Sequence, residues 1–527
     1  MDYEKKHIQK INEKNELLVI NKKNGTIKLF LLIILIGTIF LVLPHFNNNL
    51  WFDEAYSIAI SSKSLKDIWI ISRQDVHPIL YYVILHFILS FFNKNIIIAK
   101  MFSILPTIIL GVLGYTHIRK DFGYRIGILF TFLSFFSPLI LSYVGEIRMY
   151  TLGLLLVTLT FIYAYRILKN DVRTRNWILL TIFSILSSYT HYYALFSIFI
   201  INVSLIVYFI AKTIKTRNNI DVEKHYSCRN SAINSIIVSI IEFACYIPWL
   251  FNAFNQAKQV SQGYLTYFPW IHDIIQTQIT GDTEYLFTYN PLLSNLYKIL
   301  FMMISLAIFG YIIYKVYINY KDKQFKQIWP AIYVYILVII LALIASLLLK
   351  QSIIYISYFV IITGLYNLTL SFLLTYEKNT KLIKAICICL VFVSVTLNVN
   401  LMIKNCSPVN DLPIRFVKSN YQYGDVILTD LNEAGFIIMT DFNSKNNIFY
   451  NKNNWQAEET FDAFGRTIKD LDEIKDYKGR VWLISSDDFS LLNEIQNHFE
   501  HVDIIAYEDF STLYKNDRYS IYLVNIN

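Results

Sequence analysis

The sequence predicts a mainly α protein. It should be a polytopic transmembrane helical bundle with a small extracytoplasmic α/β domain at its C-terminus. Three observations lead there. The 527 residues are 55% hydrophobic and only 16% charged, whereas soluble globular chains carry about 25% charged residues. The apolar residues gather into twelve long stretches. Residues 403–527 then break that pattern and turn acidic.

The stretches run over residues 28–46, 78–92, 96–116, 126–143, 149–165, 177–190, 194–211, 233–251, 294–314, 329–349, 352–375 and 382–402. A bilayer core of about 30 Å takes roughly 20 helical residues, so about 11–13 membrane segments are expected. The first stretch follows 27 polar, Lys-rich residues and has no small-residue cleavage site. It reads as a retained helix and not as a signal peptide.

Basic loops orient such bundles, because Lys and Arg stay on the cytoplasmic side. The basic segments are 1–28, 117–125, 166–175, 212–229, 315–326 and 378–384. This predicts a plasma-membrane, multi-pass chain with residues 1–27 cytoplasmic, 28–402 as the membrane domain, and 403–527 extracytoplasmic. Loops 47–77 and 252–293 should lie outside, as should 145–148 and 191–193. Two full crossings between 78 and 116 would put the basic loop 117–125 outside. One of the two segments there is therefore expected to be short or re-entrant.

The tail 403–527 holds 12 Lys+Arg against 20 Asp+Glu, a net −8, while residues 1–402 hold 35 against 19, a net +16. The overall +8 thus belongs to membrane-facing loops, which contact anionic lipids. No nucleic-acid partner is expected. Strand-like runs in the tail are Val426–Thr429, Phe436–Met439, Val481–Ser485, Ile504–Tyr507 and Tyr519–Val524. No glycine-rich phosphate loop follows any of them. The five Cys, at 228, 245, 387, 389 and 406, fit no metal, redox or disulfide spacing.

The chemistry-bearing residues fall in the loops read as external. Leu50-Trp51-Phe52-Asp53-Glu54-Ala55-Tyr56-Ser57 puts two aromatics at the interface and two acids directly after them. Isolated, such an acid pair simply marks a helix end. At a membrane surface it also suits a general base, which must be near a low-polarity site yet reachable by an acceptor hydroxyl. Arg73-Gln74-Asp75-Val76-His77-Pro78-Ile79-Leu80-Tyr81-Tyr82 ends the same loop. Pro78 suits the first turn of the next helix. Asp75 then reads either as a cap with an interfacial His77 or as a second polar wall of the site. In Tyr143-Val144-Gly145-Glu146-Ile147-Arg148-Met149-Tyr150, Glu146 and Arg148 form a local pair, or Arg148 binds phosphate through its guanidinium fork. His191, in Ser188-Tyr189-Thr190-His191-Tyr192-Tyr193, lies on the same side.

Taken together, these motifs resemble the polytopic glycosyltransferases of the GT-C fold. More narrowly, they resemble the bacterial family 39-like group related to protein O-mannosyltransferases and aminoarabinose transferases. That group carries Trp-x-Asp-Glu-Ala-x-Ser after the first span, then Asp-x-His-Pro-Pro-x-Tyr-Tyr, then Tyr-Ser-x-Glu-x-Arg-x-Tyr. This chain has Trp51, Asp53, Glu54, Ala55 and Ser57; then Asp75, His77, Pro78, Tyr81 and Tyr82; then Tyr143, Glu146, Arg148 and Tyr150. Order and spacing match over residues 28–210, and Thr190-His191-Tyr192 is similar to a further family element.

The resemblance implies an integral membrane hexosyl- or pentosyltransferase. It would move a sugar from a polyprenyl-phosphate donor to an extracytoplasmic acceptor: a cell-envelope glycan, a lipid or a protein. Asp53 would act as general base beside Glu54. Asp75, His77, Tyr81, Tyr82, Glu146, Tyr150 and His191 would contact substrate, and Arg148 would lie near the donor phosphate. No cofactor is expected, and no metal, since one acid pair does not make a divalent site. The chain departs from the family at Ile79 and Val144. It departs also at Ser357, where many members carry Arg before Tyr in a late span; Lys350 is the expected substitute. The alternatives are a transporter or flippase of lipid-linked glycans, or a polymerase using the same donors. A transporter would show repeats and Gly/Pro-broken helices, against 16 Gly, 10 Pro and no visible repeat here.

Overall fold

The computed structural model describes residues 27–217, 222–261, 271–283, 286–287, 290–430, 433–442, 444–452, 458–486, 490–511 and 518–527. The N-terminal segment 1–27 lies, but for its last residue, outside them. Among the described residues, ten helices are long and apolar enough to cross a membrane. The first is Ile27–His45 and the last begins at Thr380. Leu80–Phe91 is a shorter apolar helix of 12 residues, and Thr174–Ser188 is a helix of 15. Each of the twelve apolar stretches therefore coincides with a helix.

Leu80–Phe91 has the length of about 18 Å at 1.5 Å per residue, well short of a bilayer. Its two ends lie on one side of the bundle. His77, just before it, meets Arg148. Lys94 and Asn95, just after it, share a cleft with Asn48, Asn49 and the C-terminal domain. The next helix, Ile96–Leu113, starts at that same end, where Lys100 Nζ donates to Asn47 Oδ1 at 2.9 Å and to the Asn49 carbonyl at 2.5 Å. It continues through a π-turn at Gly114–Ile118 to the far end. The pair 78–116 thus makes one net crossing.

The basic loops collect at that far end. Arg166 Nε donates to Asp121 at 2.8 Å, Lys212 Nζ to Asn170 at 2.9 Å, and Tyr376 Oη to Gln324 at 2.9 Å. Lys315 and Glu377 form a 2.7 Å ion pair. At the near end stand residues 47–54, 72–77, 144–150, 190–193 and 355–358. There the long helix Val222–Ser261 arrives too, with Arg73 donating to Asn252 and Gln256 donating to the Ser72 carbonyl.

The C-terminal domain sits on the near end. Its six-stranded sheet has the order β3-β2-β1-β4-β6-β5. The strands are β1 (Val426–Thr429), β2 (Asn447–Tyr450), β3 (Arg466–Ile468), β4 (Gly479–Ser486), β5 (Val502–Ser511) and β6 (Arg518–Ile526). The first four pair in parallel, while β6 is antiparallel to both β4 and β5. Central β1 is buried along its whole length, as expected of a parallel strand covered on both faces.

The expected strand at Phe436–Met439 is instead part of the helix Glu433–Met439. Its apolar run faces two partners a strand would not reach: Phe449 of the sheet at 5.2 Å and Phe52 of the membrane part at 5.6 Å. Such tertiary burial overrides β propensity. Through Phe52, Phe461 and Phe464 one apolar core runs from the bundle into the domain. This docks the domain over the loop that carries the acids.

Candidate functional site

The helix Phe52–Ser61 opens at the near end with Asp53 and Glu54 in its first turn, where carboxylates favour the positive end of the helix dipole. The two acids then do different things. Glu54 is buried; its Oε2 accepts from the Trp51 backbone N–H at 3.2 Å and its Oε1 from the Ile147 N–H at 3.1 Å. It ties the start of this helix to the loop 144–149. Asp53 keeps its carboxylate 30% exposed, 3.7 Å from the Arg148 guanidinium. Asp53 is thus the more exposed of the two acids, while Glu54 is held by two backbone N–H groups.

Loop 144–149 is held against the first span at Gly145, where any side chain would overlap the His45 ring. This close packing turns Arg148 inward. At 4% exposure, its Nη2 donates to His77 Nδ1 at 3.3 Å and its Nη1 approaches the Tyr82 hydroxyl at 3.5 Å. Burial opposes the Arg148 charge, but Asp53 and the surrounding groups outweigh it and raise its pKa further.

The helix after the His-Pro step begins at Leu80, so Pro78 stands outside it and Asp75 is not its cap. Asp75 Oδ2 instead accepts at 2.7 Å from the hydroxyl of Tyr82, seven residues on in the first turn of that helix. Burial works against the Asp75 charge, yet His77, whose Nδ1 lies 3.8 Å from Asp75 Oδ2, and then Arg148 and the Tyr82 hydroxyl hold it below the usual carboxylate value. Tyr81 points elsewhere and shares a 2.7 Å hydrogen bond with Ser103.

His191, the N-cap of the helix Tyr192–Thr216, completes the cluster. Its ring lies 5.3 Å from His77 and 4.4 Å from Tyr358, centroid to centroid. Tyr358 in turn faces Tyr150 at 6.2 Å. Burial, with His77 and Arg148 nearby, pushes the His191 pKa well below its usual value.

Asp53, Asp75, His77, Tyr82, Arg148, Tyr150 and His191 thus share one cluster, built from four separate chain segments. Glu146 lines an adjacent cavity of about 260 Å³ together with Glu54, Tyr143 and Ser357. Lys350 is not brought in. It is the exposed left-handed cap of the helix Trp329–Leu349.

Other residues at this end escaped the sequence reading. Tyr358 lay in view of the late motif. Lys100 had a signal, a lone cation in an apolar run, and its role is to hold the end of the first span. Asp282, which accepts from the Tyr143 hydroxyl at 2.9 Å, had none. A second cleft, of about 430 Å³, opens between Asn48–Trp51, Asn95 and the C-terminal domain; Trp51 lines both spaces. Among the described residues no group of three or more His, Cys, Asp or Glu is placed to hold a metal ion.

No protein-family model and no characterised protein matches the sequence. Solved structures do match. The apo structure of ArnT from Cupriavidus metallidurans superposes with a TM-score of 0.58 at 8% identity, covering 95% of this chain and 98% of that one. The same protein bound to undecaprenyl phosphate gives 0.54 at 12% identity, over 95% and 98%. At such identities the likeness speaks for architecture, and it extends over nearly the full length of both chains. The chain therefore shares the fold of ArnT over nearly its full length, here a bundle of membrane-length helices followed by a small α/β domain.

Proposed function

We propose that the protein is an integral membrane glycosyltransferase that moves a sugar from a polyprenyl-phosphate donor to an acceptor on the side of its C-terminal domain. The observation that carries this reading is the 3.7 Å pairing of a partly exposed Asp53 with a fully buried Arg148 at the helix start. Burying a guanidinium this deeply is costly unless it is paired and used. The ArnT structure with undecaprenyl phosphate bound supports a lipid-phosphate ligand for this fold.

In this mechanism Asp53 accepts the proton of the acceptor hydroxyl. The acceptor oxygen bonds to the anomeric carbon as the bond from that carbon to the phosphate oxygen breaks. The lipid phosphate leaves with the electron pair, and Arg148 stabilises its growing charge. Glu54 positions the helix that carries the base. The basic loops at the opposite end support placing the site outside the cytoplasm of a plasma membrane.

The test is purified protein in lipid nanodiscs with a panel of undecaprenyl-phosphate-linked sugars and separated envelope acceptors, followed by product mass analysis. Sugar transfer that disappears in Asp53→Asn, with undecaprenyl phosphate binding retained, is the expected result. Full transfer by Asp53→Asn overturns the role of the base.

A further inference from the structure

The sequence motifs include no residue of the helix Val222–Ser261, yet its last turns carry two buried amides beside the cluster. Asn252 is 5% exposed and Gln256 1%. Four residues apart, they share one helix face, while Phe251, Phe254 and Asn255 around them are exposed.

Gln256 joins two other segments. Its Nε2 donates to the Ser72 carbonyl at 2.7 Å, and its Oε1 accepts from the Tyr192 hydroxyl. Ser72 ends the helix Leu65–Ser72, and the last carbonyls of a helix find no donor within the helix itself. Tyr192 opens the helix that His191 caps. Asn252 Oδ1 accepts from the next residue of the first segment, Arg73 Nε, at 3.1 Å. Beyond the His-Pro step the two segments meet again, where the Leu80 N–H donates to the Tyr189 carbonyl at 2.9 Å. Residues 73–79 are therefore pinned at both ends. Asp75 and His77 lie between the pins, with the His77 ring 5.3 Å from that of His191 and its Nδ1 3.3 Å from Arg148 Nη2.

The chemistry of the first pin is specific. The Ser72 carbonyl needs a donor and the Tyr192 proton needs an acceptor, and an amide supplies both at once. A carboxylate at 256 would turn a lone pair toward the Ser72 oxygen. An apolar side chain would leave both groups unpaired at a buried contact.

Resting on the transferase reading above, we infer that Gln256 is a positioning residue of the reaction. It fixes the start of the loop that carries Asp75 and His77 against the helix that His191 caps, and so holds His77 where it meets Arg148. Asn252 supports it through Arg73. Such geometry bears on turnover, because a misplacement of about 1 Å costs about a hundredfold.

The experiment uses the full-length protein in nanodiscs. Sugar transfer, hydrogen exchange by mass spectrometry and the thermal midpoint are measured for each variant. Gln256→Met keeps the length of the side chain and removes both bonds. Its kcat should fall by about tenfold or more, with the KM for the donor hardly changed. Hydrogen exchange should speed up over residues 73–79 and stay unchanged in the loops at the far end. Tyr192→Phe removes one bond and keeps the ring, so it should give a smaller loss of the same kind. The double variant should lose no more than Gln256→Met alone, because both changes act on one contact.

Wild-type kcat in Gln256→Met overturns the positioning role. So does full additivity with Tyr192→Phe. A kcat loss that comes with faster exchange throughout the bundle and a lowered midpoint also overturns it, since that marks a general loss of stability. Failure of the wild type to transfer any sugar overturns the transferase reading instead. The exchange arm needs no turnover, and unchanged exchange over residues 73–79 in Gln256→Met overturns the pin by itself.

Discussion

The Arg148 guanidinium lies 3.7 Å from the Asp53 carboxylate while its Nη2 also reaches His77 Nδ1 at 3.3 Å. One buried cation thereby joins the acid read as the base to the His-Pro segment. Arg148→Lys keeps the charge and loses the fork. Lysine cannot hold Asp53 and His77 at once, so transfer should fall by about ten- to a hundredfold, at roughly 1.4 kcal/mol per factor of ten. Steady-state kinetics on the purified variant check this, and activity within twofold of wild type would remove Arg148 from the mechanism.

Asp53→Asn removes the proton acceptor and leaves size and packing nearly unchanged. General-base catalysis contributes about 10²–10⁴ in rate, so kcat should drop by that factor. The KM for the donor should hardly move, because the proposed mechanism gives the leaving phosphate to Arg148 and not to Asp53. A large KM effect with unchanged kcat would reassign Asp53 to substrate binding.

Glu54→Gln should behave differently from Asp53→Asn. Both Glu54 oxygens accept backbone N–H groups, from Trp51 and Ile147. A glutamine offers one oxygen and turns an NH₂ toward the other N–H. Leaving that buried donor unsatisfied costs about 1–3 kcal/mol. The thermal unfolding midpoint should fall, with a smaller loss of kcat than in Asp53→Asn. Unaltered stability would show that the helix start does not depend on this tie.

Phe436→Ala empties a site bordered by Phe52, Phe449, Phe461 and Phe464. Truncation of a buried Phe costs about 3–5 kcal/mol. The loss falls at the junction between domain and bundle, so limited proteolysis should cut residues 403–527 faster while the membrane part stays protected. Equal cleavage rates would mean that the domain is held by other contacts.

The single net crossing between 78 and 116 gives a labelling pattern. In a cysteine-free background, Lys94→Cys should react with an impermeant thiol reagent from the same side as Asn48→Cys. Arg119→Cys should react only from the other side. Labelling of Lys94 and Arg119 from one side would require a different path for Ile96–Leu113.

Much of the fold was legible in the residues. Twelve apolar runs became twelve helices because a bilayer rewards a continuous apolar helix regardless of its neighbours. Four of the five strands expected in the tail formed: Val426–Thr429 is buried along its length, whereas the exposed Ile504–Tyr507 is held by its pairing with β6. Phe436–Met439 failed because its apolar run is claimed by Phe52 of another domain, a partner invisible to local patterning. Strands β2 and β3 were missed: four and three residues long, they carry too little pattern to separate from loop.

The sequence by itself determined that the chain is a many-spanning bundle and which residue types crowd its outer loops, because hydrophobicity and charge act locally and add along the chain. The tertiary structure alone decided their division of labour. It buried Glu54 as a tie and left Asp53 open. It left Lys350 outside the cluster and brought Tyr358 against His191. It set His77 against Arg148 and Asp75, and His191 against the Tyr193 backbone N–H. Hydrogen-bond partners across 71 positions, as between Arg148 and His77, are chosen by helix packing, and no motif spacing encodes them.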